Sequence, residues 1–159
     1  MNKKSPIYVL GFMAAICLVF GTGIALVNSA TQGLLAKNAT LHRNRVLCRA
    51  FQLEVAGTTA EAYQQAVSDH LTTNTLAGRT VYHRTTPGHE SIGFEFSGLG
   101  FWDRIEGIIV LTPDLQTVLN LQFLEQKETP GLGARIEEPW FTDQFQGLTL
   151  DWADPRGQR

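Results

Sequence analysis

The run IYVLGFMAAICLVFGTGIALV, from Ile7 to Val27, holds 21 residues and not one charge. Coiled as a helix it would measure roughly 31 Å, enough to cross the hydrocarbon core of a bilayer. The sequence therefore predicts a transmembrane helix over Ile7–Val27. The competing reading is a cleaved secretory signal, because Lys3 and Lys4 give a basic start and Val27-Asn28-Ser29-Ala30 offers small residues at a cut. Against it, the apolar run exceeds the ~7–15 residues of a signal core. A basic tail of only six residues, 1–6, favours a cytoplasmic start and a body outside the cytoplasm. Lys37, Arg43, Arg45 and Arg49, which follow the span, pull weakly the other way.

The body, Asn28 to Arg159, keeps all 15 acidic residues and 11 of the 13 basic ones, so its formal charge is −4. That balance gives no reason to expect nucleic acid as a partner. Cys17 lies in the apolar span and Cys48 stands alone in the body, which leaves no pair for a disulfide within the body and no cysteine-based metal site. His42, His70, His83 and His89 are scattered, and although His83 and His89 with Glu90 can be drawn as ligands, surface histidines are expected and no metal is assigned.

Residues 28–56 read as a stalk helix. Leu34, Leu35, Leu41, Val46, Leu47, Ala50 and Phe51 interleave with the four basic residues, whose side chains face either solvent or lipid headgroups. A second helix is expected from about Thr59 to His70, with Thr58 as its cap and Glu61 completing a capping box. From Arg79 onward the period changes. Ser91–Phe96 alternates, with Ile92, Phe94 and Phe96 on one face and Gly93 and Glu95 on the other. Arg104–Leu111 and Leu115–Leu124 form a hairpin about Thr112-Pro113-Asp114. Trp140, Phe141 and Phe145 follow at helical spacing, with Gly147 as the stop. Helices, then strands, then a short helix, without βαβ alternation, give an α+β domain around an antiparallel sheet.

No Gly-x-Ser-x-Gly elbow, Walker loop or His-Glu-x-x-His motif occurs, and no catalytic residue is assigned. Asp103 with Glu106, or Glu137 with Glu138, could be drawn as acid/base pairs, but solvated charge is the expectation. Gly98-Leu99-Gly100 starts like a dinucleotide loop, yet Asp103 stands where the third glycine belongs. What needs explaining is KETPGLGARI, Lys127–Ile136, directly after a strand. Its glycines permit positive φ and leave backbone N–H groups uncovered, so the turn can lie against a flat ring or an anion. A plain strand-to-helix connection needs glycine as well, and both readings stand on these residues.

The order SGLGFWDRIEGIIVLTPD, a strand, then KETPGLGARIEEPWFTDQFQG resembles the FMN-binding domain found in the sodium-translocating NADH:quinone reductase, in its C subunit, and in the G subunit of the related Rnf electron-transport complex. The similarity covers about Ile92 to Gly147. It implies an α+β scaffold outside the cytoplasm, carrying FMN as a one-electron relay within a membrane complex. Glu128, Thr129, Pro130, Gly131, Leu132 and Gly133 would form the turn near the flavin, and Gly98 and Gly100 the small residues before it. The layout it implies is a cytoplasmic tail (1–6), a transmembrane helix (7–27), a stalk (28–56) and an FMN-binding-like domain (57–159), complete or shortened at its carboxy terminus. The membrane would be the inner one, crossed once, with lipid and the other subunits of a redox complex as partners. The family joins FMN to a threonine or serine in a Ser/Thr-Gly-Ala-Thr-x-Thr/Ser motif. These 159 residues contain none: Gly133-Ala134 precedes Arg135, and Ala56-Gly57-Thr58-Thr59 has another order. The resemblance thus leaves two functions open, a flavin electron-transfer subunit and a cofactor-less assembly or interaction subunit that keeps the scaffold.

Overall fold

The computed structural model describes residues 6–76 and 78–152. It divides into two compact units, residues 1–40 and 41–159, of which the first, where described, is helical throughout. Helix α1, Pro6–Ala50, begins in the first unit and ends in the second. No break separates the predicted span from the predicted stalk. Its amino-terminal part has the length and apolar character to cross a membrane, with none of its most apolar window buried. Leu18, Val19 and Phe20 lie exposed, as lipid-facing residues would.

In the second unit the order is the end of α1, then α2 (Ala60–His70), β1 (Leu71–Leu76), β2 (Arg79–Arg84), β3 (Ser91–Leu99), β4 (Arg104–Leu111) and β5 (Val118–Glu125). A 3₁₀ turn (Gly133–Glu137), α3 (Pro139–Thr142) and a second 3₁₀ turn (Asp143–Phe145) follow. The sheet is a meander in the order β1-β2-β3-β4-β5, antiparallel throughout. The α+β class and the β4–β5 hairpin are as the sequence predicts, with Asp114 bonding the Gln116 amide inside the connection. β5 starts three residues later than expected, at Val118, because Leu115 sits at φ 59° and the connection runs on to Thr117.

Residues 41–50, read from the sequence as part of a stalk, instead furnish the core. Val46, Leu47, Cys48, Ala50 and Phe51 pack with Ala66, Tyr82, Ile108 and Val110. Asn120 on β5 donates to the carbonyls of Arg49 and Ala50, satisfying acceptors that the helix end leaves without partners. Gly93 explains how close the contact is: a β-carbon there would lie 2.5 Å from the Phe51 ring. Ile92, Phe94 and Phe96 do share a face and are half-buried, but the side of β3 that carries Ser91 and Gly93 is the deeper one.

On the opposite side of the sheet the C-terminal helical turns build an aromatic layer. Phe96 meets Phe123 edge-on at 6.1 Å between centroids, Phe123 meets Phe141, and Phe141 meets Phe145. Gly107 lies between Phe96 and Phe123 in the register, and its missing side chain leaves room for the Phe96 ring. Gly147, at φ 77°, follows these turns as expected. The cap of α2 is Thr59 rather than Thr58: its hydroxyl accepts from the Ala62 amide at 3.2 Å, so Glu61 falls in the first turn and no Thr58–Glu61 box forms.

Candidate functional site

The two segments singled out in the sequence, around Gly98-Leu99-Gly100 and around Glu128–Gly133, meet in space through one buried carboxylate. Glu128 is 9% exposed, and its Oε1 accepts from the Phe101 amide at 2.9 Å and the Trp102 amide at 3.1 Å. A second bond ties the same segments, from Trp102 Nε1 to Thr129 Oγ1 at 2.9 Å. Lys127 adds an exposed ion pair to Asp103 at 2.9 Å. That lysine's hydrogen bond holds the Asp103 carboxyl below the ordinary aspartate range.

The glycines divide into two kinds. A β-carbon at Gly133 would lie 2.8 Å from the Glu128 β-carbon, and one at Gly100 would strike the Glu128 carboxylate. These two make room for Glu128. Gly98 and Gly131 face open space, and Gly131 alone in the turn has positive φ, 77°. The turn is closed by the amides of Leu132 and Ala134, which donate to the Thr129 carbonyl at 3.1 and 3.2 Å.

What the clamp presents outward is apolar. Leu99 is 91% exposed, Phe101 84%, Trp102 68% and Leu132 73%, with the Phe101 and Trp102 rings edge-on at 5.1 Å. Sequence reasoning passed over Leu99, Phe101 and Trp102, whose signal was three large apolar residues beside glycines where a surface loop would be polar. Behind them, Arg135 pairs with Glu138 at 3.0 Å and stacks over Trp140, whose Nε1 donates to Glu138 at 2.6 Å. The Arg135 guanidinium holds the Glu138 carboxyl below the ordinary glutamate range.

Two of the predicted acid/base candidates are drawn into ion pairs. Asp103 is engaged by Lys127 and Glu138 by Arg135. His42 Nε2 donates to the Leu124 carbonyl at 2.8 Å, and no cluster of three metal-ligating side chains occurs among the described residues.

The two joined segments thus carry exposed aromatic faces at Phe101 and Trp102, the Thr129 hydroxyl and an open glycine at 131. The FMN-binding domain family matches residues 100–155. In Chlamydia pneumoniae, the C subunit of the Na(+)-translocating NADH-quinone reductase is 38% identical over 68 residues, 43% of this chain and 21% of that protein. Its counterpart in Pasteurella multocida is 42% identical over 59 residues, 37% of this chain and 23% of that protein. The matched segment thus spans about a fifth of the length of these curated relatives. Among solved structures, the C subunit from Parabacteroides distasonis aligns with a TM-score of 0.64 at 19% identity, over 76% of this chain and 70% of that one. Shewanella oneidensis NqrC aligns with a TM-score of 0.58 at 16% identity, over 72% and 71%. Residues 100–155 match the FMN-binding domain family, and the unit that contains them has the fold of the solved Na(+)-translocating NADH-quinone reductase C subunits.

Proposed function

We propose that this protein is a membrane-anchored electron-transfer subunit of an ion-translocating respiratory redox complex, with FMN held at the clamp between residues 98–102 and 128–133. The observation that carries the reading is the Glu128 clamp, which orders two loops so that Leu99, Phe101, Trp102 and Leu132 stay exposed. An ordered apolar surface of this kind is retained for a ligand or partner.

Leu132 and Trp102 supply apolar contact for a ring. Thr129, whose oxygen already accepts from Trp102, retains its hydroxyl hydrogen for a ring acceptor. Gly131 keeps one approach clear of side chain. FMN, when bound, supplies the one-electron chemistry, and the chain's own groups bind, orient and partly shield it. In this reading the apolar part of α1 anchors the protein, and Lys3 and Lys4 before the span favour a redox domain on the extracytoplasmic side, facing the other subunits.

The test is FMN binding by the full chain in detergent, followed by quenching of tryptophan fluorescence. Trp102→Ala and Leu132→Ser remove exposed side chains, so the fold should survive while FMN affinity falls at least tenfold, about 1.4 kcal/mol. Unchanged affinity in both variants would refute the placement. A chain that binds no flavin under any condition would instead support the cofactor-less interaction subunit.

A further inference from the structure

A cavity lies at the other end of β3, separated from the Glu128 clamp by the length of the strand, on the order of 25 Å. It exists because α1 stops short of the sheet's end. The chain turns away at Gln52, whose φ is 51°, and the Leu53 amide closes the helix on the Cys48 carbonyl at 2.8 Å. Beyond the last turn, a space of about 290 Å³ remains over the sheet, with Gln52, Arg84, His89, Glu90, Ser91 and Thr112 among its lining.

Arg84 and Ser91 are direct cross-strand partners, so their side chains leave the sheet on the same side. Arg84 Nη1 donates to the Phe51 carbonyl at 2.6 Å. Its Nε is buried without a partner, and no carboxylate pairs with the guanidinium among the described residues. Ser91, 5% exposed, lines the same cavity. A buried guanidinium nitrogen without a partner is rarely left so, because buried polar groups are ordinarily satisfied. The carbonyls at the end of α1, which would repel an anion, are already taken by Asn120 and Arg84.

We propose that this cavity binds a small oxyanion, a carboxylate or phosphate of a few heavy atoms. Arg84 supplies the charge, Ser91 donates its hydroxyl, and His89 adds a donor at the rim. Glu90 lines the same wall and opposes the bound charge. It keeps affinity low and makes the site sensitive to that one side chain.

The experiment is titration of the full chain in detergent micelles with inorganic phosphate and, separately, with sodium acetate at constant ionic strength, reading the backbone amide shifts of Arg84, His89 and Ser91. Saturable shifts with at least one anion are expected, and the tighter anion identifies the phosphate or the carboxylate as the class bound. Ser91→Ala and Arg84→Lys should weaken binding by about tenfold. Glu90→Gln lies in an exposed loop, where the substitution leaves the fold intact, and should tighten binding several-fold. Absence of saturation with both anions overturns the proposal. So does unchanged or weakened binding in Glu90→Gln, or unchanged binding in a folded Ser91→Ala.

Discussion

Large apolar residues meet opposite fates at two places in the second unit. Around Ile108, Val110 and Leu47 they are sealed, at 0 to 2% exposure, between the end of α1 and the sheet. Around Glu128 they are turned out, and a buried carboxylate takes the structural role that hydrocarbon takes in the core. The contrast shows how a small domain can hold large apolar side chains out in the open. Two backbone amides and one indole bonded to the 128–129 segment fix the loops that expose Leu99, Phe101 and Leu132. The core should therefore govern stability, and the clamp should govern order at the site.

The sharpest separation comes from Leu47→Ala. Truncating a side chain only 2% exposed leaves a cavity and should cost about 2–5 kcal/mol in denaturant unfolding, while the FMN affinity of the folded fraction stays unchanged. A selective loss of flavin affinity at full stability would break the comparison. Next comes Glu128→Ala, which strips the acceptor from the Phe101 and Trp102 amides and should cost roughly 1–3 kcal/mol. Hydrogen exchange at those two amides should rise at least tenfold, and Glu128→Gln, which retains an acceptor oxygen, should fall between. Equal exchange in all three proteins would remove the clamp from the account.

Gly131→Ala is expected to cost about 1 kcal/mol, because its φ of 77° strains any side chain although the space around it is open. Gly133→Ala should cost more despite ordinary φ, since Glu128 occupies the place of its β-carbon. The reverse order, seen by thermal unfolding, would show that strain outweighs packing in this turn.

The smallest effect belongs to Tyr82, on the sealed side. Burial, followed by its hydrogen bond to Glu95, pushes the phenol up to about 12, with Arg43 pulling the other way. In the unfolded chain the phenol titrates near 10. The folded state thus favours the neutral form, and the stability this brings is present below about pH 10 and lost as pH climbs toward 12. Tyr82→Phe should flatten that alkaline decline relative to the parent, and an unaltered decline would assign it to other groups.

Much of the plan was legible in the residues. The uncharged run at 7–27 requires a nonpolar environment, whichever fold follows. The Ile/Val-rich runs about Pro113 specify a hairpin, and the aromatic spacing after Pro139 specifies helical turns. Other elements left no pattern. β1, LTTNTL, is exposed along five of its six residues, so no apolar alternation marks it, and it exists through its pairing with β2. Leu41–Ala50 has the composition of a solvated stalk and becomes core only because the sheet folds against it.

The site divides in the same way. Glycine at 131 and the ETPGLG run were readable because backbone conformation is a local property, and glycine is the residue that tolerates positive φ. That Glu128 would be buried, and that Leu99, Phe101 and Trp102 would be exposed, runs against the preference of each residue type. Only the tertiary structure could decide it, because the two backbone amides that compensate for burying the carboxylate lie 26 and 27 residues away in sequence and reach it through the β4–β5 hairpin.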